Sequence, residues 1–300
     1  MALYHHRLDN YDPAPLAAAL EAGAEALGGM SQLLGGRRNL LLKPNLLALG
    51  KGPPHHLTHP AFILAVVDWL QVAGCQVSLA DSPAFGDAAL IVHYLGLTEA
   101  LARREVRVFT FKNLRYFQTD NPKFRRLSIA AELGDFDGLI NLPKLKTHCQ
   151  CHFSGAVKNL FGCVVGKRKP ARHFASRGDE AAFALMLQDN AHQAGAFLHI
   201  ADGITSMHVD GPRGGEPFEL GSLLMSENPQ QIDWAFCRLV GLDPMDTQQF
   251  KVAGLQPEVL PLGAPLVQQL GWQQAEKVDV FFNPLQLVRS VAKQLLTRIQ

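Results

Sequence analysis

Long apolar runs are missing from this 300-residue chain. No stretch reaches the ~20 consecutive apolar residues that span a bilayer. The opening MALYHHRLDNYD also lacks the apolar core of a secretory leader. Cysteine is scarce: Cys75, Cys149, Cys151, Cys163 and Cys237 are odd in number and unevenly spaced, unlike a secreted disulfide framework. Charge is sparse too, at 18% of residues with a net +1, which removes any general attraction to nucleic acid or a membrane surface. The densest basic run, Lys167 to Arg172, is short and has no interleaved aromatics; it reads as a solvated surface loop or a cover over an anionic ligand. Neither the GxxxxGK[ST] phosphate loop nor a GxGxxG fingerprint after a strand is present. These absences predict a reduced, cytoplasmic protein with no membrane span and no nucleic-acid partner.

What is present is 47% hydrophobic residues, ample for a core. Asn39 to Leu42, Gln76 to Ala80, Val106 to Phe111, Gly138 to Leu142, Phe197 to Ala201 and Leu220 to Met225 read as strands. Ala61 to Val72, Ala88 to Ala102, Ala181 to Ala194 and Pro229 to Val240 read as helices, with Thr58-His59-Pro60 as a start and Gly74 and Gly241 as stops. Alternation of this kind predicts an α/β fold: a mostly parallel sheet with helices on both faces, in Rossmann-like or flavodoxin-like layering. Residues 1–275 read as a single α/β domain. Residues 276–300 read as an amphipathic helical tail, with Leu287, Val288, Val291, Leu295 and Ile299 between Arg289, Lys293 and Arg298.

Polar residues cluster just behind the strands: Lys43 and Asn45, Asp81 and Ser82, Lys144 to His148, Asp202 and Asp210. Ligands of open α/β sheets bind beyond the carboxyl ends of the strands, and lysine and histidine are not usual turn residues. The densest segment, Asn141 to Gly162, reads NLPKLKTHCQCHFSGAVKNLFG. Ser154 to Phe161 reads as a helix whose start at Ser154-Gly155 has free N–H groups and a positive dipole end. That start suits a phosphate or carboxylate, with Lys144, Lys146 and Lys158 converging on it. His148, beside lysines, is expected to stay neutral and act as a base. Asp81 and Asp202 would orient a histidine, hold a metal through water, or cap a turn. The CxC spacing of Cys149 and Cys151, with no second pair, argues against zinc or iron–sulfur ligation, so the cysteines read as free thiols. Asp210-Gly211-Pro212 with Gly214-Gly215 reads as a lid or as ordinary turns.

LLLKPN (Leu40 to Asn45), THP (Thr58 to Pro60), ADSP (Ala80 to Pro83), NLPKLKTH (Asn141 to His148), SGAVKNLFG (Ser154 to Gly162), ADGI (Ala201 to Ile204) and DGPRGG (Asp210 to Gly215) follow one another in an order that resembles the uncharacterised family catalogued as domain of unknown function 362. The likeness runs from about Leu40 to Gly241 and is most specific in the lysine blocks. In the family pattern the histidine after KLKT, here His148, belongs to the motif. Many members add a ferredoxin-like CxxCxxCxxxCP segment for iron–sulfur clusters, which this chain lacks, so no iron–sulfur cluster is expected and the cofactor is unknown.

The leading expectation is an enzyme, of isomerase or racemase type, acting on a small anionic carboxylate or phosphate metabolite. Lys43, Asn45, Ser82, Asn141, Lys144, Lys146, Ser154, Gly155, Lys158, Asn159 and Asp202 would hold the ligand. His148, with His59 or Asp81, would move the proton; no metal ligands are assigned. Two alternatives stay open: a redox-linked or cofactor-binding protein served by a separate electron-transfer partner, and a non-catalytic binding or metal-centre assembly protein.

Overall fold

The strands at the centre of the sheet are apolar on both sides, as a sheet covered on both faces requires. Leu40 and Leu42 enter one core while Leu41 between them enters the other, and Leu79 and Ala80 divide the same way. A computed structural model describes residues 2–49, 53–84, 86–166, 168–254, 259 and 261–278. The elements are β1 (Leu3–Arg7), α1 (Pro13–Ala26), α2 (Met30–Leu34), β2 (Asn39–Pro44), α3 (Pro60–Val72), β3 (Gln76–Asp81), α4 (Ala88–Tyr94), α5 (Thr98–Arg103), β4 (Arg107–Thr110), β5 (Leu114–Gln118) and β6 (Arg126–Ala130). There follow β7 (Gly138–Leu142), β8 (Lys144–His148), β9 (His152–Ser154), α6 (Ala156–Leu160), α7 (Arg168–Ser176), α8 (Glu180–Ala194), β10 (Ala196–His208), β11 (Glu216–Ser226), α9 (Pro229–Val240), α10 (Gln248–Ala253) and β12 (Pro261–Gly263).

Among the described residues the main sheet runs β12-β1-β11-β10-β7-β2-β3-β4, and β5 pairs with β6 in a separate hairpin. The run β10-β7-β2-β3-β4 is parallel throughout. Antiparallel pairing enters with β11, which lies between β10 and β1. Residues of α1, α3, α4 and α5 pack in one core, and residues of α6, α8 and α9 in the cores of the other face. The fold is therefore the mostly parallel, two-faced α/β sheet that the alternation predicts.

Several boundaries differ from the sequence reading, each for a local reason. The helix expected over 88–102 is two, α4 and α5, broken around Gly96, whose φ of 69° belongs to the left-handed region. The strand expected to end at Ala201 runs on to His208, so Asp202 sits inside β10. The lysine loop expected after Leu142 is a strand: Pro143 interrupts the run, and β8 continues beside β10 with Asp202 opposite Lys144. Ser154, expected to open a helix, ends β9. The tail expected as a helix lies, from 279 onward, outside the described residues. Among the described residues no helix is long and apolar enough to cross a membrane.

Candidate functional site

Because Lys144 to His148 form a strand, side chains alternate between its two faces. Lys144, Lys146 and His148 share one face, and Leu145 and Thr147 take the other, Leu145 joining an apolar core. Each residue on that face is buried, and each has a different setting.

Lys144 meets Asp202 across the β8–β10 pairing, with Nζ 2.8 Å from Oδ2. Tyr11 completes the cluster: its hydroxyl accepts from Lys144 at 3.0 Å and donates to Asp202 Oδ1 at 2.7 Å. The backbone N–H of His59 also donates to Asp202, at 2.9 Å. The His59 ring stacks on Tyr11 with centroids 3.6 Å apart and accepts from Ala61 N, capping α3. Burial and the Asp202 charge push the Tyr11 phenol up, and burial lowers the His59 pKa. Lys144, Asp202 and His59 are thus bound to one another and line none of the cleft described below.

Lys43, at the end of β2, forms a second buried ion pair with Asp81 at the end of β3, 2.9 Å apart. Its ammonium also donates to Pro44 O at 2.7 Å. Asp81 accepts from Ser82 N at 2.7 Å and Leu46 N at 2.9 Å, so the carboxylate is nearly saturated. Gly162 explains how the pair fits: a Cβ there would come within 2.4 Å of both Lys43 Nζ and Asp81 Oδ1. Behind the pair, Asn159 donates to Asn141 Oδ1 at 2.8 Å and accepts from Asn45 at 3.0 Å. Asn141 faces inward to Ala156 O and His199, so it supports the site without reaching a ligand.

Between these clusters lies Lys146. It donates to His56 O at 2.7 Å and Asn45 Oδ1 at 3.2 Å, and among the described residues it has no carboxylate partner. Burial first, then the charges of Lys158, Lys144 and Lys43, hold its pKa well below the ordinary lysine value. Lys146 opens into a cleft of about 450 Å³, a volume that includes the space at its mouth. Lys43, Asn45, Asp81, Ser82, His148, Ser154, Lys158, Asn159, Lys169 and Pro212 also line it. Ser154 stands opposite Lys146 in the β8–β9 pair. The Ser82 hydroxyl accepts from Gly166 N at 2.9 Å, and Ser82 O accepts from Lys169. Pro212 arrives from the 209–212 turn, seated on β8 where Gly211 O accepts from Cys149 N at 3.3 Å.

His148 is buried, and burial together with Lys158, His173 and Lys146 holds its pKa well below the ordinary value. The expectation of a neutral ring therefore agrees with its surroundings. Nδ1 accepts from Gln150 N at 3.1 Å, so a neutral ring carries its proton on Nε2. In that tautomer His148 presents an N–H hydrogen-bond donor at Nε2.

The expected anion site at the Ser154-Gly155 helix start is already occupied by the protein itself. Asp233 of α9 accepts from Ala156 N at 2.5 Å and from Val157 N at 3.2 Å, and a Cβ on Gly155 would meet Asp233 Oδ1 at 2.0 Å. An internal carboxylate fills the place that the sequence offered to a ligand. Burial pushes Asp233 up to about 7.

Lys169 is the main residue that the sequence reading missed. From Arg168 onward the run read as a solvated loop or a cover over a ligand is helix α7, and it is inverted: Lys169, Arg172, His173 and Ser176 are buried at helical spacing while Phe174 is 49% exposed. Burial lowers Lys169 to about 8. The i, i+3, i+4, i+7 recurrence of polar residues was the available signal. Among the described residues no group of three or more His, Cys, Asp or Glu side chains is arranged to hold a metal. Burial pushes the Cys151 thiol up to about 11 and Cys163 to about 12, so neither is a ready thiolate.

Residues 40–238, which include both ion pairs and the whole cleft wall from β2 to α7, match the family described as a domain of unknown function, DUF362. The chain belongs to the DUF362 family. It is 35% identical over 263 residues to a thylakoid-associated protein of Synechocystis sp., covering 87% of this chain and 82% of that protein. Among solved structures this DUF362 protein is similar to the lactate racemase apoprotein from Thermoanaerobacterium thermosaccharolyticum, with a TM-score of 0.55, 10% identity, and coverage of 78% of this chain and 56% of the other. A Thermotoga maritima protein gives a TM-score of 0.45 at 15% identity, covering 71% of this chain and 55% of that one. The chain spans just over half the length of these two structures. At such identity the racemase likeness shows the fold alone.

Proposed function

We propose that this DUF362 protein binds a small anionic metabolite, a carboxylate or phosphate, in the cleft between β8, β9 and α7, and that His148 donates a hydrogen bond to it. One observation carries the reading: four lysines line the cleft against one carboxylate, Asp81, which is already paired with Lys43. Lys146, Lys158 and Lys169 thus face a small, partly enclosed space with no ion pair among the described residues. Enclosed positive charge on Lys158 and Lys169 favours an anion far more than the same charges in open water would. Lys158 and Lys169 are the direct ligands, Ser154 an additional hydrogen-bonding group, and Lys146 the floor. Lys43, Asn45, Asp81, Ser82, Asn141 and Asn159 hold the wall in shape, and Lys144, Asp202 and His59 brace β8 against β10 and α3.

Calorimetric titration with phosphate, oxalate and lactate tests this reading, using the wild type and the Lys158→Ala/Lys169→Ala protein. At least one anion is expected to bind the wild type and to lose about tenfold or more in the double variant, the effect of removing two charge-assisted contacts. Equal binding to both proteins, or to neither, would remove the proposal.

A further inference from the structure

We infer that Lys146 is a nucleophilic amine that forms an imine with the carbonyl group of an anionic 2-oxo acid or aldehyde acid bound in this cleft. This rests on the anion reading above and narrows it to a substrate class. The geometry carries it. Lys144 and Lys43 each end on a carboxylate, at 2.8 Å and 2.9 Å, whereas Lys146 ends on two carbonyl-type oxygens. Both oxygens are acceptors only, so a neutral amine would donate its two N–H groups to them and keep its lone pair in the remaining direction. Lys146 lines the cleft, which leaves that direction to a ligand. Carboxylate partners would have locked the ammonium form; carbonyl partners do not.

The neighbours suit the reaction. Lys158 and Lys169 would hold the carboxylate of the substrate, leaving its carbonyl carbon facing the floor of the cleft. His148, two residues along the same face of β8, supplies a neutral Nε2–H donor. In the step itself the Nζ lone pair bonds to the carbonyl carbon, and the C=O π pair moves to oxygen. The His148 Nε2–H donates a hydrogen bond to that oxygen as negative charge develops on it. The two amine protons leave with that oxygen as water, giving the imine with no other reactant. The low pKa of Lys146, set by burial and neighbouring lysines, keeps the amine available near neutral pH.

Reductive trapping tests this on the full chain. The protein is incubated with pyruvate or glyoxylate and cyanoborohydride, and adducts are located by intact mass and peptide mapping. An exposed lysine, with a pKa near 10.4, is neutral in about one molecule in a thousand at pH 7.4, so Lys146 is expected to label up to ~10³-fold faster than Lys112 or Lys277. Lys146→Arg should abolish the fast adduct, and His148→Gln should slow it while the fold, checked by circular dichroism, persists. Labelling spread over exposed lysines without preference for Lys146 overturns the inference. Pyruvate binding by calorimetry, lost in Lys158→Ala/Lys169→Ala but giving no adduct, overturns the amine role and leaves the anion site standing. A Lys146 adduct formed equally fast in that double variant supports the amine and overturns the anion reading.

Discussion

Replacing Lys144 by methionine should destabilise the protein without touching the cleft. Lys144 and Asp202 are 2% and 0% exposed, and the single ammonium supplies one of three donors to that carboxylate. Methionine fills similar volume but leaves Asp202 charged and buried, with only Tyr11 and the His59 N–H as partners. Breaking one side of a buried pair costs about 3–5 kcal/mol. Asp202→Asn should cost a comparable amount, because it strands the ammonium. The double variant leaves no buried charge and should fall short of the summed single losses by about 2–3 kcal/mol. Urea unfolding of the four proteins, read at constant m-value, measures the cycle. Phosphate affinity in the folded double variant should stay within about twofold of wild type, less than 0.5 kcal/mol. Additive losses would refute the pairing argument. Loss of phosphate binding from a folded double variant would return Lys144 and Asp202 to the ligand site.

Gly162→Ala should lose about 1–3 kcal/mol, since its Cβ must displace the Lys43–Asp81 pair, and thermal unfolding against Gly134→Ala, where nothing lies near the added carbon, checks this. Asp233, raised to about 7, binds more protons folded than unfolded between about pH 4 and 7. Its contribution is therefore complete below pH 4 and is lost as pH rises through 7; the stability of wild type relative to Asp233→Asn should fall across that window, and urea midpoints that rise instead would refute the assignment. Anion binding favours protonated Lys169, whose pKa near 8 makes affinity weaken above that pH, by at most ~10-fold per pH unit for one proton. A pH-independent phosphate affinity from pH 7 to 10 would count against Lys169 as a ligand (window set by the ordinary lysine pKa near 10.4, about two units higher).

The alternation of apolar strands and amphipathic helices was enough to read a two-faced, mostly parallel sheet, because burial on both faces leaves continuous runs such as Asn39 to Leu42. The lysine blocks stood out for a related reason: lysines set among leucine and valine are not solvated lysines, and Lys43, Lys144 and Lys146 are buried. Local pattern could not say that KLKTH is a strand, since Pro143 imitates a loop and the partner strand β10 lies some sixty residues on, Lys144 opposite Asp202. Nor could it show that α7 turns its polar stripe inward.

What the sequence determined by itself was therefore the architecture and a segment dense in lysines set among apolar residues, because both follow from local hydrophobic period and local composition. Which lysine does what was decided only in three dimensions. Asp202, Asp81 and Asp233 come from distant parts of the chain to claim Lys144, Lys43 and the start of α6. A charge's role depends on its partner, and partners brought together by long-range packing leave no local trace. Lys146, left with two carbonyl oxygens, is the residue those pairings set apart.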